Sequence, residues 1–134
     1  MEPITSPFSA LLQEPSPDIF HAEARAWGTS IDFWKTELSF FRYLLHHHRL
    51  PEHEEKRRDK LLEQVKEMSG QQLENLAQAV AAHEVYIGGL MQEDEGIGNP
   101  KYIREHHKLA EMMGHFDNDL RKLKREIFDF ERKF

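Results

Sequence analysis

The chain has 134 residues, of which 39% are hydrophobic and 31% charged, and its formal net charge is -6. This length corresponds to one domain with a core of its own, and acidic and basic residues are interleaved along most of the chain. Such mixed charge is typical of a solvated surface, so we expect neither nucleic acid nor a membrane as a partner. The absence of cysteine excludes disulfides, thiol nucleophiles and thiolate metal sites.

The first 15 residues, MEPITSPFSALLQEP, contain three prolines and no hydrophobic periodicity. We interpret 1–15 as a flexible or docking arm, since Phe8, Leu11 and Leu12 favour docking, and 16–134 as a single domain. The N-terminus has neither a basic start nor a continuous apolar run, so no signal peptide is expected. No apolar segment approaches the roughly 20 residues that span a bilayer, and a cytoplasmic location is expected.

The first helix is predicted to begin at Ser16-Pro17-Asp18, which combines a hydroxyl cap, a proline at the first helical position and an acid in the first turn. Apolar residues then recur at alternating steps of four and three, the spacing of a helix packed in a bundle. These positions are Phe20, Ala24, Trp27, Ile31, Trp34, Leu38, Phe41, Leu45 and His48. Gly28-Thr29-Ser30 interrupts the pattern, but the continuous spacing favours one helix.

Two further helices are predicted after the first. Pro51 and the acids that follow it indicate a second helix that extends to about Met91. Its apolar spacing slips by one residue near Ser69-Gly70, where we expect a kink or a short break. After an acidic turn at 92–99, Asn99-Pro100 indicates the start of a third helix. Three helices of similar length with short connections pack as neighbours, so the predicted fold is an all-α antiparallel bundle of three long helices.

Two histidines lie on faces that are predicted to point into the core. With a rise of about 1.5 Å per residue, His83 of the second helix and His106 of the third lie within about one turn of each other. Glu84 borders an apolar stripe beside His83. Because imidazole and carboxylate groups bind zinc, iron or manganese in bundle cores, His83, Glu84 and His106 form a candidate metal site. The favoured interpretation is that both histidines lie at the edge of the core and bond to each other, to Glu84 or to the arm.

Glu37 is a carboxylate among aromatic residues three and four positions away on either side. Such a group must be paired, protonated or at an edge. No second catalytic group is placed beside Glu37, which favours a structural ion pair over acid–base catalysis. The candidate partners are Arg58, Arg125 and Arg132.

A second apolar strip on the first helix, which includes Phe33, Phe40 and Leu44, lies beside the strip predicted to face the core. The combined surface is wider than two neighbouring helices cover, and exposed apolar surface of this kind marks an interface. We expect a symmetric homodimer through this face, with the arm at 1–15 as the alternative cover. The predicted interface residues are Phe33, Trp34, Phe40, Phe41 and Leu44.

The sequence contains no catalytic motif, so the expected function is that of a non-enzymatic interaction or structural protein that self-associates without a cofactor. The alternative is a metal-binding bundle that holds iron, zinc or manganese. A third possibility follows from His46-His47-His48 and His53, which lie near the basic segment at 56–58. This end of the bundle would then be presented to an acidic partner.

Overall fold

The computed structural model describes residues 16–47, 52–93 and 100–133. Within these ranges the chain forms the predicted all-α bundle of three long helices. The helices are α1 (Pro17–His46), α2 (Glu55–Glu67), α3 (Leu73–Glu93) and α4 (Pro100–Glu131), and a 3-10 turn (Glu52–Glu54) precedes α2. A π-type turn (Met68–Gln72) joins α2 and α3 into one long helix.

Some predicted features lie outside the described residues. They are the arm at 1–15, His48, the second helix's proline at Pro51, the cap at Asn99 and the last residue, Phe134.

The start and the continuity of α1 agree with the sequence. The Ser16 hydroxyl oxygen accepts a hydrogen bond from the Ile19 amide at 3.4 Å, and Pro17 occupies the first turn. The helix continues through Gly28 and Thr29 for 30 residues in all. A glycine in a helix costs about 1 kcal/mol. Burial of Ala24 and Ile31 on either side outweighs that cost.

The expected irregularity near Ser69-Gly70 is present as a kink within a continuous helix. Gly70 has φ -89° and ψ -117°, which is not helical, and the turn around it is of the wide π type. The wide turn absorbs one extra residue, so the apolar residues on both sides of it still face the core. Those nearest the turn are Val65, Met68, Leu73 and Leu76.

The core is built from the apolar stripes of all three long helices. Helices α1 and α4 run parallel, because contacts between them advance together along both helices. Ring pairs show this register at Phe20–Tyr102 (5.7 Å between centroids), Trp34–Phe116 (4.9 Å) and Phe41–Phe128 (5.7 Å). The α2–α3 helix runs antiparallel to both. Over the described residues, none of the helices combines the length and the apolar composition of a membrane-spanning segment.

Candidate functional site

The two histidines predicted to face the core are buried. His83 on α3 is 5% exposed and His106 on α4 is 3% exposed, and they are the buried polar side chains of the described residues. They lie between the main hydrophobic core and a smaller cluster formed by Phe20, Ile87 and Tyr102. The apolar spacing of each helix continues through its histidine, so the imidazoles form a polar layer within an otherwise apolar core.

The histidines belong to a hydrogen-bonded chain that crosses all three long helices. His83 Nε2 lies 3.0 Å from His106 Nδ1, and His106 Nε2 lies 2.9 Å from Oε1 of Glu23 on α1. A carboxylate only accepts, so the Nε2–H of His106 donates to Glu23. The neutral His106 ring then accepts at Nδ1, and His83 donates to it from Nε2.

Aromatic rings of α1 fix the orientation of the His106 ring. The Phe20 ring stacks on it with centroids 3.9 Å apart and planes within 5°, and the Trp27 ring lies 4.4 Å away at 26°. Phe20 and Trp27 are two turns apart on the inner face of α1. His106 is therefore positioned by two ring contacts and two hydrogen bonds.

Burial lowers the pKa of both histidines from the ordinary value of 6.5. For His83, burial is the main cause, and the nearby charge of His106 lowers the pKa further, while Glu105 opposes the shift. For His106, burial outweighs the hydrogen bond and the charge of Glu23, which raise its pKa, and His107 lowers it. Both rings are thus held neutral at neutral pH, as their hydrogen bonds require.

The structure brings together two of the three predicted metal ligands. His83 and His106 meet, but Glu84 points toward α1, where its Oε1 lies 4.0 Å from Nε2 of His21. Successive residues of a helix differ in direction by about 100°, so Glu84 cannot share the direction of His83. Across the described ranges, no group of three or more histidine and carboxylate side chains is arranged to hold a metal ion.

Glu23 is the residue of this site that the sequence analysis missed. A signal for it exists, because Glu23 lies three residues after Phe20 and four before Trp27, on the same face of α1. A carboxylate between two inward aromatic residues faces whatever they pack against, which here is His106.

The prediction of an arginine partner for Glu37 was wrong. Oε2 of Glu37 lies 2.6 Å from Nζ of Lys124 on α4, and the Glu37 side chain is 18% exposed. Its Oε1 is buried without a hydrogen-bond partner among the described residues. Two of the predicted partners, Arg125 and Arg132, come from the last helix, but the register of α1 against α4 places Lys124 at Glu37 instead. Arg58 and Arg132 instead pair with Asp59 and Asp129 on their own helices.

The residues predicted for an interface separate into two groups. Trp34 and Phe41 are buried and pack against α4, so they belong to the core of one chain. Phe33 and Phe40 are 60% and 53% exposed, and Leu44 is half-buried beside them. We call Phe33, Phe40 and Leu44 the aromatic face of α1.

The histidine-rich end of the bundle is solvated where the structure describes it. His46 and His47 are exposed at the end of α1. Nε2 of His53 lies 3.8 Å from Oε1 of Glu54. The guanidinium group of Arg57 lies 5.4 Å from the centre of the Phe130 ring. Part of the basic charge at this end is therefore engaged in local contacts.

Comparison of the chain with protein-family models, curated proteins and solved structures finds no match.

The lowered histidine pKa values predict that stability falls in mild acid. As the pH drops below 6.5, the unfolded chain binds more protons than the folded one. The contribution of the neutral histidines to stability is therefore complete above pH 6.5, and it is lost as the pH falls to their lowered pKa in the folded chain. Urea unfolding at about pH 7.5 and about pH 5.5 measures the loss. His83→Gln with His106→Gln should flatten this dependence, and the exposed-site variant His53→Gln should leave it intact. Equal slopes in all three proteins would contradict the assignment.

The Glu37–Lys124 pair predicts a strongly non-additive double-mutant cycle. Lys124→Met leaves the Glu37 carboxylate without its cation and should lower the free energy of unfolding by about 1–3 kcal/mol. Glu37→Leu together with Lys124→Met removes both charges and should recover stability to within about 1 kcal/mol of the natural chain.

The exposed pair Asp117–Arg121, with 2.9 Å between its charged atoms, is the matched control. Arg121→Ala should cost less than about 1 kcal/mol because that pair is solvated. Additive effects of Glu37→Leu and Lys124→Met in urea unfolding would show that the two groups do not stabilise each other.

Proposed function

We propose that the protein is a non-enzymatic helical-bundle protein that self-associates through the aromatic face of α1. The observation that carries the proposal is the exposure of Phe33 and Phe40, each more than half accessible on a helix whose other side already packs against α3 and α4. A solvated bundle helix ordinarily presents polar residues on its outer side. Apolar side chains repeated there lose contact with water only if another surface covers them.

A second copy of the chain covers this face better than the N-terminal arm. From Ser16, Phe40 lies about 36 Å along α1 at the helical rise. Even when fully extended, the eight residues from Phe8 to Ser16 span at most about 28 Å. The apolar segment of the arm, Phe8–Leu12, therefore falls short of Phe40. A second α1 helix has the length to cover the whole face.

A test of self-association is the double substitution Phe33→Ser with Phe40→Ser. Burial of one phenylalanine contributes about 1.5–3 kcal/mol, so removal of two from each copy should shift the protein from two chains to one. Light scattering over a range of concentrations measures the mass. The natural chain should have the mass of two chains, and a natural chain that is monomeric throughout would overturn the proposal.

The matched control is Met112→Ser, which removes an exposed apolar side chain from the groove between α3 and α4. This variant should retain the mass of two chains. Circular dichroism should show unchanged helix content in all variants, because none of the three residues is buried. Equal loss of association in Met112→Ser would place the contact away from α1.

Metal binding at the histidine pair is the second candidate function. His106 donates its Nε2–H to a carboxylate, which is how acidic groups orient imidazoles that bind metals. Nδ1 of His106 and Nε2 of His83 face each other at 3.0 Å across their hydrogen bond, and a bound metal ion would replace the proton between them. A groove of about 480 Å³ between α3 and α4 is lined by His83 and by Glu105, an additional oxygen donor.

Elemental analysis of protein purified without chelators tests metal binding. This second function predicts one zinc, iron or manganese ion per chain, lost in His83→Ala with His106→Ala and kept in the exposed-site control His53→Ala. Folded protein that contains no metal after incubation with each ion would exclude this function.

A further inference from the structure

A second series of residues with four–three spacing runs along the outer side of α1. Its eight positions are all exposed, and none of them is an aspartate, glutamate, lysine or arginine. We call this series the outer stripe. It consists of Ala22, Ala26, Thr29, Phe33, Thr36, Phe40, Tyr43 and His47. The spacing is that of residues along the contact line of a coiled coil, so α1 carries one such line toward its own core and another toward solvent.

Three polar groups of the outer stripe form hydrogen bonds within α1. The Thr29 hydroxyl donates to the carbonyl oxygen of Arg25 and the Thr36 hydroxyl to that of Asp32, both at 3.3 Å. Nδ1 of His47 lies 2.8 Å from the carbonyl oxygen of Tyr43, and the two rings stack with centroids 4.0 Å apart. The two threonine hydroxyls and Nδ1 of His47 therefore need no bond from a partner, and burial of the stripe leaves fewer polar groups unpaired.

The distribution of side-chain size along the outer stripe is uneven. The small residues Ala22, Ala26 and Thr29 occupy its N-terminal part, and large rings at Phe40, Tyr43 and His47 occupy its C-terminal part. Such a gradient is not suited to a copy that runs in the same direction. It is complementary to a copy that runs in the opposite direction.

We propose that two copies of the chain pair antiparallel along their outer stripes, with the two-fold axis between Phe33 and Thr36; this pairing rests on the self-association proposed for α1. In an antiparallel coiled coil, each contact layer pairs a residue that follows a step of four on one helix with a residue that follows a step of three on the other. Every layer then places a small residue against a large one. The layers are Ala22–His47, Ala26–Tyr43, Thr29–Phe40 and Phe33–Thr36, each between the two copies.

A parallel arrangement packs the same residues poorly. It sets each of the rings Phe33, Phe40 and Tyr43 against the same ring of the other copy. It also sets Ala22 and Ala26 each against the same alanine of the other copy. Rings would hold the helices apart at one end while voids formed at the other, and both overpacking and voids are destabilising. Close packing of the whole stripe is therefore available in the antiparallel direction only.

Cysteine cross-linking tests the direction of the pairing. The chain has no cysteine of its own, so introduced thiols react alone. Ala26→Cys and Tyr43→Cys are prepared separately, mixed under reducing conditions to exchange chains, and treated with a short bismaleimide. An antiparallel pair should cross-link in the mixture, up to the half of dimers that contain both variants, and neither variant should cross-link by itself. Mass spectrometry identifies the 26–43 link.

The other outcomes separate the pairing direction from self-association itself. Cross-linking of each variant by itself would show parallel pairing, which overturns this inference and leaves self-association through α1 intact. Dimeric mass in light scattering without any cross-link would place the contact between copies on another face. A monomeric natural protein would show that the copies do not associate. Either outcome overturns both proposals. Each cysteine variant is first shown to have the same mass as the natural chain under reducing conditions. Met112→Cys, in the groove between α3 and α4, is the background control.

Discussion

Packing of α1 against both other long helices is the constraint on which the rest of the structure depends. Its inner stripe supplies Trp34, Leu38 and Phe41 to the core, and the same face orients the polar residues between them. The register that brings Trp34 to Phe116 also brings Glu23 to His106 and Glu37 to Lys124. A shift of α1 by one turn would separate both polar contacts at once. The polar contacts thus mark one register among several that apolar packing alone would allow.

The buried polar groups make different contributions to that register. His83 bonds to His106, and His106 bonds to the half-exposed carboxylate of Glu23, so the cost of burying two imidazoles is offset by hydrogen bonds in a weakly polar setting. The Glu37–Lys124 pair leaves one carboxylate oxygen without a bond among the described residues, which makes it the more costly of the two arrangements. Polar contacts of this kind specify which helix faces meet even where they add little stability.

The two sides of α1 correspond to the two candidate functions. The inner side holds Glu23 against the histidine pair, and the outer side presents an uncharged stripe to solvent. Glu23 lies at the boundary: its carboxylate reaches inward to His106, while its neighbour Ala22 belongs to the outer stripe. A surface contact along α1 and the buried histidine layer are therefore adjacent in space although they face opposite directions.

The sequence by itself determined the helices, their apolar stripes and the meeting of His83 with His106, because helical periodicity and short antiparallel connections leave few alternatives. The slip in spacing near Ser69-Gly70 also indicated an irregularity there, which the structure shows as a kink with a wide turn. Tertiary structure alone decided that Lys124 pairs with Glu37, that Glu23 completes the histidine layer, and that Trp34 is core while Phe33 is surface. These outcomes depend on the rotation of α1 about its axis and on its level against the parallel helix α4. Both quantities are set by the packing of side chains from distant parts of the chain, which periodicity within one helix does not contain.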